Sequence, residues 1–376
     1  MILILLSIII LLLFNSFLIY LLRIKNRFSK NENDVVKISV YQTCPPEASG
    51  RRAGFSIIVA AKNEAENILQ LISSIEKLDY PPGLFEVIIV DDNSSDSTFR
   101  VCQEAVSKYK FLKVFGIQES GKGGKRDALS YGISKASKPF IMITDSDCLP
   151  EKNWLKRYAV NFNEGFEVLF GAAPFIQEDF FVNKVSCFEN LRSSILSFSF
   201  ASAGLPFTAA ARNLGFSKSS FEKIGGYSKT SETPSGDDDL LIREAVKNNL
   251  KIGSVMGEGS FVFSKTKKTL TEYLSQRSRH TQTSFYYLLR HQVILTIWHS
   301  INLFFLFSPF LSFIHINFLV LLPIKLLTDF IIVKLNQKKF GYNFGWYEII
   351  YLQVIYELFL IIHLFNAKFR KVKWKE

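Results

Sequence analysis

The chain has 376 residues and a mass of 43.0 kDa, which is enough for one large domain and several membrane segments. Hydrophobic residues make up 48% of it and 36 residues are phenylalanine, so much apolar surface must face lipid rather than a soluble core. The net charge of +11 does not indicate nucleic acid, because the middle of the chain has no basic run interleaved with aromatic residues. The basic tail from Lys368 to Lys375 adjoins an apolar segment, which favours anionic lipid as its partner.

Four cysteines are spread along the chain without CxxC spacing: Cys44, Cys102, Cys148 and Cys187. This spacing argues against a zinc site and fits reduced thiols in a cytosolic domain. We expect these thiols to fill the core.

Residues 1–22 carry no charged side chain and consist almost entirely of Leu, Ile and Phe. At about 1.5 Å per residue, a helix of this length covers the ~30 Å hydrocarbon layer. A cleaved signal peptide is the alternative, but the run lacks a basic start and is followed by Arg23, Lys25 and Arg27 rather than small residues. We therefore expect an uncleaved anchor whose C-terminal side faces the cytosol, as in the inner membrane of a bacterium.

A regular alternation of predicted strands and helices follows a linker that contains Pro45 and Pro46. The strands are short and apolar, at residues 55–61, 85–90, 111–116 and 140–144. Helical spacing occurs at residues 64–77, at 95–109 and from about Lys125. This pattern predicts a parallel sheet buried on both faces, which binds ligands at the carboxyl ends of its strands.

The C-terminal third is apolar again. Residues 293–333 are long enough for two crossings with a break near Ser308 and Pro309, and residues 346–365 for a third. Lys325 and Asp329, at i, i+4 spacing, are expected to neutralise each other. Three crossings would put the basic tail outside the cytosol, so we expect the last segment to lie in the interface or to re-enter.

Two acidic clusters follow the second and fourth predicted strands. Asp91 and Asp92 belong to the first, and Asp145 and Asp147 to the second. Adjacent carboxylates repel unless a cation compensates them, and oxygen ligands favour Mg²⁺ or Mn²⁺ bound together with phosphate. Either cluster alone is more often a turn or a helix cap, but the position of both at strand ends favours a ligand site.

A third cluster, Asp237-Asp238-Asp239, opens a predicted helix that continues to Lys247. Capping through the helix dipole explains one or two of these carboxylates, but three in a row exceed what a cap requires. We expect one of them to act as a base toward an acceptor hydroxyl.

Residues 116–123 (GIQESGKG) nearly match the phosphate-binding loop GxxxxGK[ST]. The match fails at Gly123, which has no hydroxyl for a metal ion, so we reject an NTPase. Lys122 and Lys125 remain candidates to neutralise a diphosphate at a helix start, against the alternative of solvated loop lysines.

Several ordered motifs resemble those of family 2 glycosyltransferases with the GT-A fold, over roughly residues 54–285. They are Val59 to Glu64 (VAAKNE), Val90 to Asp96 (VDDNSSD), Asp145-Ser146-Asp147, GGKRDAL around Lys125, and Arg212 to Phe216 followed by FEKIGGY. The resemblance implies an α/β fold with a mixed, mostly parallel sheet, plus N-terminal and C-terminal transmembrane helices. We expect an anchor (1–22), a linker (23–53), a catalytic domain (54–285) and a C-terminal membrane region with a basic tail (286–376).

The resemblance also implies a metal-dependent, inverting, hexosyltransferase-like enzyme. It would move a sugar from a nucleotide-sugar donor, with a UDP-sugar favoured, to a membrane-associated lipid or glycan acceptor. The implied donor-binding residues are Ala61, Asn63, Glu64, Asp91, Asp92, Lys125, Asp145, Gln276 and Arg279. Asp145 and Asp147 would bind Mg²⁺ or Mn²⁺. The base falls on Asp237, with Gly236 in place of the Glu of the family's Glu-Asp pair, and Asp238 is the alternative.

One departure from the family concerns the segment Gln276 to His280. Processive members carry Trp where His280 stands, so the resemblance favours a single transfer. His280 is a poor candidate for the base, because a carboxylate already fills that role. Residues 180–210 are rich in Phe and Ser, which indicates either an acceptor surface or core packing.

The sequence leaves two other classes of protein as alternatives. A catalytically inactive GT-A-like membrane protein, acting in glycan binding or export, would keep the fold, but the intact acidic clusters disfavour it. A nicotinamide-dependent enzyme would need GxGxxG after the first strand, where VAAKNEAEN stands instead.

Overall fold

The structure is a computed structural model, and it describes residues 2–28, 53–120, 123–230, 232–233 and 235–369. Most of the predicted linker lies outside these residues, as do Cys44, Lys122 and the tail beyond residue 369. Cys102, Cys148 and Cys187 are buried free thiols, in agreement with their prediction as core residues.

A seven-stranded sheet forms the centre of the α/β domain. The strands of the domain are β1 (Phe55–Ala61), β2 (Phe85–Asp91), β3 (Leu112–Gly116), β4 (Phe140–Ile143), β5 (Leu149–Pro150), β6 (Val168–Gly171), β7 (Leu214–Ser217), β8 (Ile252–Val255) and β9 (Val262–Phe263). The order in the large sheet is β3-β2-β1-β4-β7-β6-β8, and β5 and β9 pair separately. Only β7 runs antiparallel to its neighbours in the large sheet, so the prediction of a mixed, mostly parallel sheet is confirmed.

The α-helices follow the same chain order. They are α1 (Ile2–Phe28), α2 (Ile68–Glu76), α3 (Thr98–Val106), α4 (Lys125–Lys135), α5 (Trp154–Asn163), α6 (Phe181–Ser202), α7 (Lys218–Lys223), α8 (Asp239–Lys247), α9 (Leu270–Thr283), α10 (Leu289–Phe307), α11 (Leu321–Asn336) and α12 (Trp346–Phe369).

The sheet is covered on both faces, which explains why its strands read as continuous apolar runs. Successive residues of β1 point to opposite sides. Ile57 packs in one core cluster with Leu71 of α2, and Ile58 packs in the other with Leu129 of α4. In the register of β1 with β2, Ala61 is paired with Asp91, so the carboxyl ends of both strands lie level at one edge.

The helices after β1 and β2 begin later than the periodicity predicts, at Ile68 and Thr98. Asn63 adopts a left-handed conformation with φ of 56°. Its side-chain oxygen accepts a hydrogen bond from Ser95 N at 2.8 Å, and its own N–H donates to Ser94 Oγ at 3.0 Å. The two turns therefore bind each other before either helix starts.

Four segments are long and apolar enough to cross a membrane: Leu5–Leu22, Leu289–Leu311, Ile316–Phe340 and Trp346–Phe369. These are the helices that the sequence predicts at both ends of the chain. The predicted break is also present, because α10 ends at Phe307 and Ser308 to Leu311 form a 3₁₀ turn.

Helix α12 contacts the α/β domain near both of its ends. Just before it, Asn343 N donates to Gln177 Oε1 at 2.8 Å. Near its last turn, the carbonyl of Ala367 accepts from Gln282 Nε2 of α9 at 3.0 Å. A helix of this length that crossed the bilayer would carry one end about 30 Å away from a domain at the other side.

Four buried charges join α6 to α11 and α12. Arg192 Nη2 of α6 lies 3.2 Å from Asp329 Oδ1, and Lys325 Nζ lies 2.5 Å from Asp329 Oδ2 and 2.9 Å from Glu357 Oε1. The predicted pairing of Lys325 with Asp329 is confirmed. The charges balance within the cluster, which is the condition for burying ions away from water.

Candidate active site

The turns after β1 and β2 form one end of the site. Asp92 N donates to the carbonyl of Ala61 at 2.8 Å, and Glu64 N donates to Thr98 Oγ1 at 2.8 Å. Asp91 accepts from Ser94 N through Oδ2 at 3.1 Å, while its buried Oδ1 has no hydrogen-bond partner among the described residues. The predicted donor residues Ala61, Asn63, Glu64, Asp91 and Asp92 thus lie together at the carboxyl edge of the sheet, with one buried acceptor oxygen left over.

Gly124 connects this edge to the start of α4. Its N–H donates to Asp92 Oδ1 at 2.8 Å, and its φ is 98°, a conformation that L side chains rarely adopt. Lys125 is the first residue of the helix that follows. The glycine-rich loop therefore fixes Lys125 next to the end of β2.

Lys125 holds two of the predicted carboxylates. Its Nζ donates to Asp145 Oδ1 at 2.8 Å and lies 3.6 Å from Asp237 Oδ2. Burial lowers the pKa of Lys125, but Asp145 and Asp237 outweigh this effect and raise it. Burial likewise raises the pKa of Asp145, and the Lys125 ammonium more than offsets it, so the net direction is down. Residues from three distant segments therefore meet at this point.

Asp145 and Asp147 have the chemistry of a divalent cation site. Together with Cys148 they offer ligand atoms that all lie within 4.8 Å of one another. Burial raises the pKa of Cys148 well above its usual value, with Asp145 and Asp147 adding to the effect, so its thiol stays protonated. Two carboxylates remain, and such oxygen ligands suit Mg²⁺ or Mn²⁺ and leave open positions for phosphate and water.

The three aspartates at the start of α8 have different surroundings. Asp238 accepts hydrogen bonds from Ala211 N and from Asp239 N, both at 2.8 Å, and caps the helix. Asp239 accepts from Tyr287 OH at 2.8 Å and from Thr208 Oγ1. In contrast, Asp237 has the Lys125 ammonium beside it and no hydrogen bond to its carboxylate among the described residues.

Protonation separates these aspartates further. Burial and the charges of Asp239 and Asp237 raise the pKa of Asp238 well above its usual value. Burial raises the pKa of Asp239 to about 6, although the hydrogen bonds that this carboxylate accepts lower it. Both carboxylates accept hydrogen bonds from the protein, so their oxygens serve the fold.

Gly236 explains one departure from the family motif. Its φ is 83°, and a Cβ added there would lie 2.3 Å from Thr283 Cγ2. The Glu of the family's Glu-Asp pair does not fit this backbone and this neighbour.

A cavity of about 370 Å³ contains the predicted base. Lys125, Asp145, Asp237 and Asp238 line one part of its wall, and Gln276, Arg279 and His280 of α9 line another. The structure thus brings the α9 residues to the same space as the carboxylates, although they are far away in sequence. Asp147 is exposed and does not line this cavity.

Helix α6 supplies a third wall, and both interpretations of residues 180–210 apply to it. Ser193, Ser194 and Ser197 line the cavity. Phe188 is buried in the core, and Phe198 is both buried and part of the cavity wall. One helix therefore serves packing and cavity together.

Glu189 is a residue of the cavity wall that carries no recognisable signal in the sequence. Glu189 of α6 is buried and accepts from Arg277 Nη2 of α9 at 2.6 Å and from Tyr273 OH. Burial raises the pKa of Glu189, but Arg277 and the hydrogen bonds it accepts bring it down to about 2. Arg212, which belongs to a motif quoted above, donates to the carbonyl of Ala173 and lies over the ring of Phe175.

The fold is the GT-A fold. The mannosyltransferase PcManGT from Pyrobaculum calidifontis, solved in complex with GDP-Man and Mn²⁺, has the same fold over 97% of this chain and 99% of its own, with a TM-score of 0.55 and 17% sequence identity. Residues 56–225 match the model of glycosyl transferase family 2. This agrees with the resemblance found in the motifs.

Two curated relatives each match about a hundred residues of this chain. Beta-monoglucosyldiacylglycerol synthase of Trichormus variabilis is 39% identical over 101 residues, which cover 27% of this chain and 22% of that protein. Glycosyltransferase AglE of Haloferax volcanii is 31% identical over 102 residues, which cover 27% of this chain and 33% of that protein. The match therefore spans a third or less of either relative.

Proposed function

We propose that the protein transfers a single sugar, with inversion, from a nucleotide-sugar donor to a membrane-associated lipid or glycan acceptor. The observation that carries this proposal is the meeting of Lys125, Asp145 and Asp237 in one cavity whose wall also includes residues of α10 and α12. The donor is a UDP-sugar by preference, since the turn that contains Asp91 and Asp92 resembles the uracil- and ribose-binding turn of the family.

The donor would lie across the carboxyl edge of the sheet. Asp91 would offer its buried, unpaired oxygen to an N–H of the nucleobase of the donor. Asp92 and the backbone near Ala61 and Asn63 would hold the nucleoside. Lys125 and Arg279 face the diphosphate, with Gln276 beside them. Such cations stabilise negative charge on a leaving diphosphate.

Asp145 and Asp147 would hold Mg²⁺ or Mn²⁺, which neutralises the diphosphate when bound. The protein's own residues do the rest. Asp237 takes the proton of the acceptor hydroxyl as its oxygen attacks the anomeric carbon from the side opposite the diphosphate. Lys125 Nζ, 3.6 Å from Asp237 Oδ2, holds this carboxylate in position before the acceptor binds.

The position of the α/β domain follows from charge and contacts. Arg23, Lys25 and Arg27 follow the anchor and favour the cytosolic side for the domain. The contacts of α12 with the domain near both of its ends support an interfacial course for this helix rather than a crossing. With α12 in the interface, only α10 and α11 cross the bilayer after the domain. The basic tail then lies in the cytosol, as the positive-inside rule requires.

A catalytically inactive protein for glycan binding or export is the second candidate. The unpaired oxygen of Asp91 and the absence of structural hydrogen bonds to Asp237 among the described residues favour an enzyme instead, because a purely structural site would satisfy these groups.

The test is donor turnover by the full chain, purified in detergent. UDP-Glc, UDP-GlcNAc, UDP-Gal and GDP-Man are supplied with Mn²⁺ or with a chelator, and release of the nucleoside diphosphate is measured. Mn²⁺-dependent turnover of one donor supports the proposal. Folded protein that binds a donor without turning any over supports the inactive alternative.

A further inference from the structure

Three helices meet at a buried carboxylate beside the cavity. Glu189 of α6 is 3% exposed, and its oxygens accept from Arg277 Nη2 at 2.6 Å and from Tyr273 OH, both of α9. His363 Nε2 of α12 lies 3.4 Å from Glu189 Oε1 and 3.2 Å from Tyr273 OH. The carboxylate thus joins α9 to α6 and to α12 at one point.

Stability alone does not account for this cluster. Burying a carboxylate costs hydration energy, and apolar side chains of similar size often stabilise a contact between helices as well or better. His363 is also buried, and its Nδ1 has no hydrogen-bond partner among the described residues, which is a further cost. Directional bonds differ from apolar packing because they fix the rotation and the height of one helix against another.

The bonded face of α9 is also the face that lines the cavity. Tyr273, Arg277 and His280 follow one another at helical spacing, and Gln276 precedes Arg277. Residues three or four apart lie on one side of a helix. All four of these side chains line the cavity of the proposed base. A rotation or shift of α9 that breaks its bonds to α6 therefore moves Gln276 and His280 relative to the carboxylates.

The position of α9 matters because Gln276 and Arg279 face the diphosphate in the proposed donor complex. Arg279 comes two residues after Arg277, so about 3 Å of helix joins the residue that is bonded to α6 to the residue that faces the donor. Charges and hydrogen bonds act on a leaving group only from the correct distance. A misplacement of about 1 Å can cost about 10²-fold in rate.

Helix α12 connects this arrangement to the membrane. On the side toward α9, the carbonyl of Ala367 accepts from Gln282 Nε2 at 3.0 Å, in addition to the contacts of His363. A different face of α12 is apolar and exposed, with four side chains at helical spacing: Leu358, Ile362, Phe365 and Phe369. Such a stripe suits the boundary of the lipid layer. One helix thus holds α9 on one side and offers the other side to lipid.

We propose that Glu189 and His363 are positioning residues, which hold α9 where Gln276 and Arg279 face the diphosphate of the donor. They act through the bonded side chains of α9 and not by contact with the donor. This inference rests on the proposed sugar transfer. It implies that the donor site is complete only while α12 is seated against α9.

The test is binding of UDP with Mn²⁺ to the purified full chain, measured by calorimetry. We expect Glu189→Gln and Tyr273→Phe, each close in shape to the natural residue, to raise the Kd at least about tenfold because Gln276 and Arg279 shift away from the diphosphate. Arg192→Met is the matched control, since Arg192 lies on the same helix and its buried ion pair joins α6 to α11 instead of α9. This control should have a lower melting temperature and the Kd of wild type.

Two variants of His363 test the contribution of α12. His363→Phe keeps a ring but loses the nitrogen that faces Glu189 and Tyr273, and it should raise the Kd of UDP with Mn²⁺ about tenfold. His363→Gln keeps a hydrogen-bonding group and should recover most of the affinity. Values of kcat/KM for the donor should follow the same order. An unchanged Kd in His363→Phe would overturn the role of α12.

A Kd within twofold of wild type in Glu189→Gln or in Tyr273→Phe would overturn the inference. Should Glu189→Gln fail to fold, Tyr273→Phe decides alone. An equal rise in Arg192→Met would also overturn it, because loss of stability would then explain the weaker binding. Donor turnover by wild type leaves sugar transfer supported in each of these cases. A wild-type chain that neither binds UDP with Mn²⁺ nor turns over any donor would overturn the proposed function and this inference with it.

Discussion

Lys125 Nζ lies 2.8 Å from Asp145 Oδ1 and 3.6 Å from Asp237 Oδ2, so a single ammonium joins the segment after β4 to the start of α8. The side chains of Lys125 and Asp145 are 22% and 34% exposed, so both are partly shielded from water. In such a place a charge acts more strongly than on the surface.

Lys125→Ala should lower the rate of sugar transfer by roughly 10²- to 10³-fold, because one cation facing the diphosphate is lost. Lys125→Arg keeps the charge and should recover part of the rate. The readout is kcat with the preferred donor, with melting temperature as the check on folding. A rate within twofold of wild type in Lys125→Ala would remove this residue from the site.

Asp237→Asn should abolish turnover, with a loss of at least about 10²-fold, while nucleotide binding stays nearly intact. The amide keeps the shape of the side chain but accepts no proton. Donor binding by calorimetry and turnover by nucleotide release are measured on the same preparation. Retained activity would reassign the base.

Asp238→Ala is expected to act through stability instead. It removes the cap of α8 and the acceptor of Ala211 N, which costs about 1–2 kcal/mol. The melting temperature should fall, and kcat of the protein that remains folded should stay close to wild type. A loss of kcat as large as that of Asp237→Asn, without loss of stability, would make Asp238 the base.

The buried pair of Arg192 and Asp329 makes a prediction about stability. In Arg192→Met, the only remaining cation beside Asp329 in this cluster is Lys325, which also pairs with Glu357. Breaking a buried ion pair in this way lowers the free energy of unfolding by about 3–5 kcal/mol. The double variant Arg192→Met with Asp329→Asn restores the charge balance and should regain much of the loss. Melting in detergent measures both, and a single variant as stable as wild type would contradict the account.

The course of α12 can be tested by fusions in a bacterial host. A fluorescent protein that folds only in the cytosol is joined after Glu376, and separately after Ile314 between α10 and α11. The first fusion should fluoresce and the second should not, because α1 leaves the chain in the cytosol and α10 then takes it across the bilayer. A dark C-terminal fusion with normal expression would make α12 a full crossing.

The sheet could be predicted from sequence because continuous apolar runs directly report burial on both faces. The predicted bounds of β1 match those of the structure, and the predicted bounds of β2, β3 and β4 differ from the structure by at most one residue. The starts of α2 and α3 could not be predicted, since the mutual hydrogen bonds of Asn63 with Ser94 and Ser95 are contacts between distant residues. Periodicity reports only local neighbours.

The cavity was less accessible to sequence reasoning. Motifs indicated Lys125, Asp145 and Asp237, yet nothing in the sequence says that Glu189 of α6 binds Arg277 of α9. Nor could the pattern choose between packing and acceptor surface for α6, because its serines and phenylalanines alternate too closely for a single face. Distinguishing the three aspartates of α8 also required their hydrogen-bond partners.

The central claim is that the aspartates at the sheet edge bind a nucleoside diphosphate together with a divalent cation. The most direct measurement is calorimetric titration of the full chain with UDP, with Mn²⁺ and with a chelator, for wild type and for Asp147→Ala. We expect binding to wild type that requires Mn²⁺ and is lost in the variant, with unchanged melting temperature for the unliganded proteins. UDP binding that is the same with the chelator, or the same in Asp147→Ala, would contradict the account.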